Sequence, residues 1–229
     1  MSKDESERFS TAVVVGGADR VGGALSRSLH KAGFRVVIVD SDQQNSTILA
    51  SDLDLAGETA VTATLDVSAH AGFETVLAKI VERWGSCEIL INNLVSQEDI
   101  GLDVLHPNDF NRLIADQVGT VFAGMRIFGN HFKERGAGRV VNVLPDLGQS
   151  SASTTQSLSS ITCGAVATLA RVFAREFSPH GVTCNSVVFA GAAVDKAAHN
   201  EFAADVVTFL TTPEAGFVSG ACWNLGRDP

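Results

Sequence analysis

Hydrophobic residues along this chain gather in short runs rich in valine and isoleucine, and the runs alternate with longer stretches of helical spacing. "TAVVVGG" (11–17) is apolar and ends in glycine, the pattern of a strand buried on both faces. From 20 to 32, Val21, Leu25 and Leu29 recur at helical spacing and Gly33 offers a C-cap, which predicts a helix. The same reasoning predicts strands at 35–40 ("RVVIVD"), 60–67 ("AVTATLDV"), 88–93 ("EILINN"), 138–144 ("GRVVNVL"), 181–189 ("GVTCNSVVF") and 220–225 ("GACWNL"). Helices are predicted at 70–84, 108–134, 157–178 and 197–211. The helix at 108–134 carries Phe110, Ile114, Val118, Val121, Met125 and Phe128 at three- and four-residue steps. Apolar strands separated by helices imply a doubly wound α/β fold, a parallel sheet covered on both faces. No linker, repeat or low-complexity tract interrupts the pattern. One domain over 1–229, with a polar tail at 1–10, is expected.

Composition narrows the function classes. Hydrophobic residues make up 45% and charged residues 19% of the 229, as in a soluble globular protein. The net charge of −9 argues against nucleic acid and against an anionic membrane as partners. "MSKDESERFS" lacks the apolar core of a secretory signal, and no apolar run reaches a membrane span. Cys87, Cys163, Cys184 and Cys222 are scattered without a C-x-x-C, which suggests reduced thiols in a cytoplasmic protein and no zinc site. The six histidines do not cluster at metal-ligand spacing, so no metal is expected.

The stretch "VVVGGADRVGGAL" follows the first strand and opens the first helix. Glycines there let backbone approach a pyrophosphate, whose charge then sits on helix N-terminal amides. Asp40 ends the second strand, where a carboxylate can accept from ribose hydroxyls. Strand, turn, helix, strand and acid fall in the order a dinucleotide site needs; tight strand-to-helix packing is the alternative reason for the glycines.

From this turn onward the chain resembles the short-chain dehydrogenase/reductase family over nearly its full length. The family turn T-G-x-x-x-G-I-G aligns with Val15 to Gly22, so Gly16 and Gly22 match and Arg20 replaces the middle glycine. Asp66-Val67 matches the family's adenine-contacting D-V. "INNLV" is similar to "VNNAG", keeping Asn92 and Asn93 while Val95 stands at the last glycine. "GRVVNVLPDLG", "AREFSPHGVTCNSVVFAG" and "AADVVTFLTTPEAGFVSGACWNLGRD" resemble later family blocks. The resemblance implies NAD(P), with Gly16, Arg20, Gly22, Asp40, Asp66 and Asn92 as cofactor-binding candidates. Asp40 points to NAD by repelling a 2′-phosphate and Arg20 points to NADP; both stay open.

The family passes hydride between a nicotinamide and a carbonyl or alcohol, while a tyrosine, its pKa lowered by a lysine four residues on, passes the proton. A serine holds the substrate oxygen and an asparagine supports a water relay. Here the alignment puts Ser159 at the tyrosine, Cys163 at the lysine, Pro145 at the serine and Gln117 at the asparagine. The chain has no tyrosine anywhere. No catalytic residue is therefore expected. As replacement chemistry, Cys163 reads better as a small core residue than as a nucleophile. His106 reads better as a surface or loop histidine than as a base, and Asp146 better as a turn carboxylate than as an acid. The family's substrate lid has little room: residues 191–205 are short and alanine-rich, and the threonine that holds the nicotinamide amide has no counterpart in "FAGAAVDK". The adenosine half of the cofactor site is expected to survive better than the nicotinamide half, or the cofactor to be supplied by a partner.

In the family, the two long helices and the last strand pair with neighbouring subunits. Leu113 and Phe122 lie beside the main apolar stripe of the helix at 108–134, which favours a second burial partner. The resemblance then implies a hetero-oligomer with a catalytic short-chain reductase, through the helices at 108–134 and 157–178 and the C-terminal strand. Fatty-acid ketoacyl reduction and aminocoumarin (novobiocin-type) antibiotic biosynthesis offer such pairs, acting on carrier-bound β-hydroxy/β-keto groups; the small size and short lid look most like the second. A regulatory NAD(P)-binding module and a stand-alone non-redox enzyme are the alternatives.

Overall fold

The computed structural model describes residues 10–64, 70–94, 103–145, 157–189 and 197–225. Seven parallel strands form one sheet in the order β3-β2-β1-β4-β5-β6-β7. They are β1 (Thr11–Val15), β2 (Arg35–Val39), β3 (Ala60–Ala63), β4 (Ile89–Asn93), β5 (Gly138–Pro145), β6 (Val182–Phe189) and β7 (Cys222–Leu225). The helices are α1 (Arg20–Lys31), α2 (Gln43–Leu53), α3 (His70–Trp84), α4 (Pro107–Ile114), α5 (Thr120–Arg135), α6 (Ser157–Phe177) and α7 (Ala197–Thr211). Parallel neighbours cannot be joined by hairpins, so crossovers must lie on the faces.

Both faces are covered, which is why the strands are apolar almost throughout rather than alternating. In β1, Val13 and Val15 face one core with Phe73 of α3, Phe128 of α5 and Val166 of α6. Ala12 and Val14 face the other, with Leu25 of α1, Leu49 of α2 and Val207 of α7. Burying a Leu or Phe side chain is worth about 1.5–3 kcal/mol, so these two layers carry most of the fold's stability.

Three elements differ from the expected pattern. Helix α2 was not expected: of its residues only Ser46, Leu49 and Ala50 are buried, so its periodicity is faint. Asp42 starts it by accepting from the Asn45 amide at 3.0 Å. The helix expected at 108–134 runs without interruption from Pro107 to Arg135, but it contains a π-helical stretch, Ala115–Gly119, between α4 and α5. The strand expected at 60–67 ends at Ala63, and residues 65–69 lie outside the described set. The remaining elements stand within two residues of their expected bounds.

The sheet order reverses between β1 and β4, so the crossovers leave to opposite faces and a crevice opens at the C-terminal ends of these strands. The turn after β1 is tight. Gly16 has φ +69, and a Cβ there would meet the Asn93 carbonyl at 2.6 Å. A Cβ on Gly22 would meet the Gly16 carbonyl oxygen at 2.0 Å and the Gly17 Cα at 2.7 Å. Gly22→Ala should thus destabilise the protein by about 1–3 kcal/mol in urea denaturation, whatever the ligand state, because the obstruction is backbone.

Asp54 closes the turn before β3. Its carboxylate accepts from the Thr59 amide (2.7 Å) and hydroxyl (2.9 Å) and from the Ala56 and Glu58 amides. The Thr59 amide first, then its hydroxyl, pull the carboxyl down to about 2. A lowered folded pKa stabilises above the ordinary value of 3.8 and loses that contribution as pH falls through about 2. Asp54→Asn should lower the Tm at neutral pH, with the gap to wild type closing between about pH 4 and 2.

Candidate functional site

The crevice is lined by Val15 and Gly16 after β1, Val39, Asp40 and Ser41 after β2, and Asn92, Asn93 and Leu94 of β4 and its exit; Asp116, Gln117, Thr120 and Val121 close it from the π-helical stretch and α5. Its volume is about 200 Å³. The sequence candidates Gly16, Asp40 and Asn92 meet here. Gly22 packs under the turn, while Arg20 lines the grooves beside α1 together with Arg27. Asp66 lies outside the described residues.

The turn is held by the chain's own acceptors. The Gly16 amide donates to the Val39 carbonyl at 2.8 Å and the Gly17 amide to the same oxygen at 3.4 Å. The Ala18 amide donates to the Asp40 carboxylate at 2.9 Å, and the Asp42 amide to its other oxygen at 3.0 Å. Asp40, expected to face a ribose, thus braces the turn. Asp19 is the N-cap of α1: it accepts from the Gly22 amide at 2.6 Å and from the Asn93 side-chain amide at 3.0 Å. Asn93 donates to the Gly16 carbonyl as well, at 2.8 Å. Burial pushes the Asp19 carboxyl above its ordinary value; bonds from Gly22 and Asn93 oppose the rise, and Asp40 adds to it. Asp19 was not among the sequence candidates. Its signal was present, an aspartate directly before the helical spacing begins.

Asn92 pairs in register with Asn142 and donates to its side-chain oxygen at 2.8 Å, so it ties β4 to β5 within the sheet. Its own side-chain oxygen is buried and has no hydrogen-bond partner among the described residues. The same holds for the side-chain oxygen of Gln117. The described lining thus combines two unpartnered amide oxygens and the acidic residues Asp40 and Asp116 with Ser41, Asn93 and Thr120.

Of the four positions aligned with the family's catalytic set, Gln117 lines this crevice. Gln117 sits at the centre of the π-helical stretch, a feature often found at functional sites, and that stretch packs against α6. Pro145 ends β5 opposite Phe189. Cys163 is 1% exposed, and its thiol lies 3.6 Å from the Pro145 carbonyl, a weak contact that uses its one donor. Ser159 stands one turn earlier on α6, outside the residues whose side chains are described. His106 caps α4 from the surface, accepting from the Asn108 amide at 3.2 Å. Asp146 lies outside the described residues, as does the connection 190–196 between β6 and α7. Among the described residues no group of His, Cys, Asp and Glu could hold a metal ion, and no helix is long and apolar enough to cross a membrane.

Known proteins share this arrangement. The family model described as short chain dehydrogenase matches residues 10–203. The short-chain reductase protein NovJ of Streptomyces niveus is 25% identical over 92% of this chain and 90% of its own length. A short chain dehydrogenase from Mycobacterium smegmatis superposes with a TM-score of 0.86 at 21% identity, covering 97% of this chain and 93% of that one. The 3-ketoacyl-(acyl-carrier-protein) reductase of Brucella melitensis, solved as a complex with NADH, superposes with a TM-score of 0.83 at 20% identity over 94% and 96% of the two chains. With the crossover topology, the glycine turn and this match over most of its length, the chain belongs to the short-chain dehydrogenase family.

Proposed function

We propose that this chain is a non-catalytic subunit of a heteromeric NAD(P)-dependent short-chain oxidoreductase whose other subunit carries the chemistry. The observation that carries this reading is the pair Pro145–Cys163: where the family needs a hydroxyl and a cation, there is a carbonyl-capped proline and a buried thiol. Hydride transfer to a ketone leaves an alkoxide that must be protonated, and a neutral buried thiol beside a carbonyl does not do the work of a tyrosine next to an ammonium. With no tyrosine in the chain, the proton has to come from elsewhere.

The outer surface supports a partner. Phe122 on α5 and Ile161 and Val172 on α6 are exposed although large and apolar, and Trp223 on β7 is 37% exposed. Family membership and the NADH complex of the Brucella reductase support NAD(P) as the cofactor of the assembly. The names of that reductase and of NovJ support reduction as the reaction, and the first supports a carrier-bound β-keto acyl group; a β-hydroxy/β-keto acyl or aminoacyl group on a carrier is the substrate class of this proposal. Secondary-metabolite biosynthesis is the setting that the sequence resemblance favours.

Expressed alone, the protein should give no turnover of β-keto thioesters with NADH or NADPH. Co-expressed with a short-chain reductase encoded beside it, it should co-purify. Solo turnover at ordinary rates, or failure to co-purify, overturns the proposal. Phe122→Glu and Val172→Glu should abolish co-purification while changing stability by no more than about 0.5 kcal/mol, since both side chains are half exposed. Cys163→Lys, combined with Ser159→Tyr, should not restore activity. It should cost about 1–3 kcal/mol in urea denaturation, because a longer side chain would be forced into a position that is 1% exposed.

A further inference from the structure

The glycine turn looks like a phosphate cradle, yet most of its amides already have an acceptor. Between Gly16 and Gly23, five amides donate inside the chain. Gly16 and Gly17 donate to Val39, Ala18 to Asp40, Gly22 to the Asp19 carboxylate, and Gly23 to the Asp19 carbonyl. A dinucleotide-binding turn works because the first amides of its helix lie open to an anion. Here an anion is already built in. Asp19 places a carboxylate on the Gly22 amide and takes the side-chain amide of Asn93 as well.

We infer that Asp19 acts as a resident substitute for the pyrophosphate, so that this chain does not hold NAD(P) at its own glycine turn. A dinucleotide's dianionic bridge would have to displace Asp19 from the Gly22 amide and the Asn93 side chain and then lie against its charge. Asp40 stands next to Asp19, close enough to raise its pKa, and adds a second negative charge. Like charges in a partly buried site repel far more strongly than in water. Among the described residues the crevice lining adds Asp116 to Asp40, together with the unpartnered side-chain oxygens of Asn92 and Gln117. Carboxylates and amide oxygens accept, whereas phosphates need donors. Arg20 and Arg27 line the groove that also takes in Ala18 and Asp19, and neither is part of the crevice lining. The inference deepens the accessory reading by saying which subunit holds the cofactor, but its evidence lies within this chain alone.

The test compares wild type with Asp19→Ser, which keeps an ordinary N-cap oxygen and removes the charge. NADH and NADPH are titrated into each isolated protein by calorimetry, with circular dichroism confirming the fold. Wild type should bind both with Kd above about 1 mM. Asp19→Ser should bind at least one of them about tenfold or more tightly. A wild-type Kd in the micromolar range overturns the inference, and so does a serine variant that binds no better than wild type. Should the serine variant be unfolded, Asp19→Asn carries the same comparison, because it keeps the shape and loses the charge. In a co-purified assembly, one dinucleotide per pair of unlike chains is expected, and two overturns the inference. Failure to obtain any assembly would count against the accessory role only, because the titrations of the isolated chain decide the fate of Asp19 on their own.

Discussion

Between β1 and β4 the crossovers leave for opposite faces, and the fold has to close the gap with polar groups, because backbone ends cannot be left unpaired. In this chain the closure is made by side chains. Asp40 takes the Ala18 amide, Asn93 takes the Gly16 carbonyl, and Asp19 joins the start of α1 to the exit of β4. The glycines serve the same closure. Gly22 has to be glycine because the Gly16 carbonyl lies where its Cβ would be. The turn's motif can therefore outlast nucleotide binding, since the packing of α1 on β1 demands it.

Most of the fold was legible because it rests on a pattern spread over many residues. Each central strand is buried on both faces, so Val13, Val14, Val37, Ile38, Leu90 and Ile91 report it by composition alone. Helix α2 escaped because its inward face is only Ser46, Leu49 and Ala50. The parallel pairing of β2 with β3 nonetheless requires a crossover there. The π-helical stretch escaped because it changes the hydrogen-bond step without changing which residues are apolar.

The site was legible in outline and not in detail, for a different reason. Sequence places Gly16, Asp40 and Asn92 at the right strand ends, and the crevice gathers them. It does not say whether an amide faces a ligand or a neighbour. Asp40 and Asn92 look like ligand contacts in one dimension; in three, Asp40 braces a turn and Asn92 bridges two strands through Asn142. Asp19 is the instructive case, since an aspartate before a helix is an ordinary cap. Only the coincidence of that cap with the amides a pyrophosphate would use gives it a meaning for function.

The apolar stripes of α5 and α6 divide the same way. Phe173 and Phe177 stack at 4.0 Å and lie on Gly129 of α5, where a Cβ would strike the Phe173 ring at 2.6 Å. That contact is internal, and it locks the two helices into one surface. What remains outside it is Phe122, Ile161 and Val172, with no partner in the chain's own core. Catalysis in this family rests on four side chains, and those can change without disturbing the sheet. An assembly surface rests on helix positions whose spacing the fold already fixes. The accessory role proposed above asks for loss of the first with persistence of the second, and the physical independence of the two allows it without any change of fold.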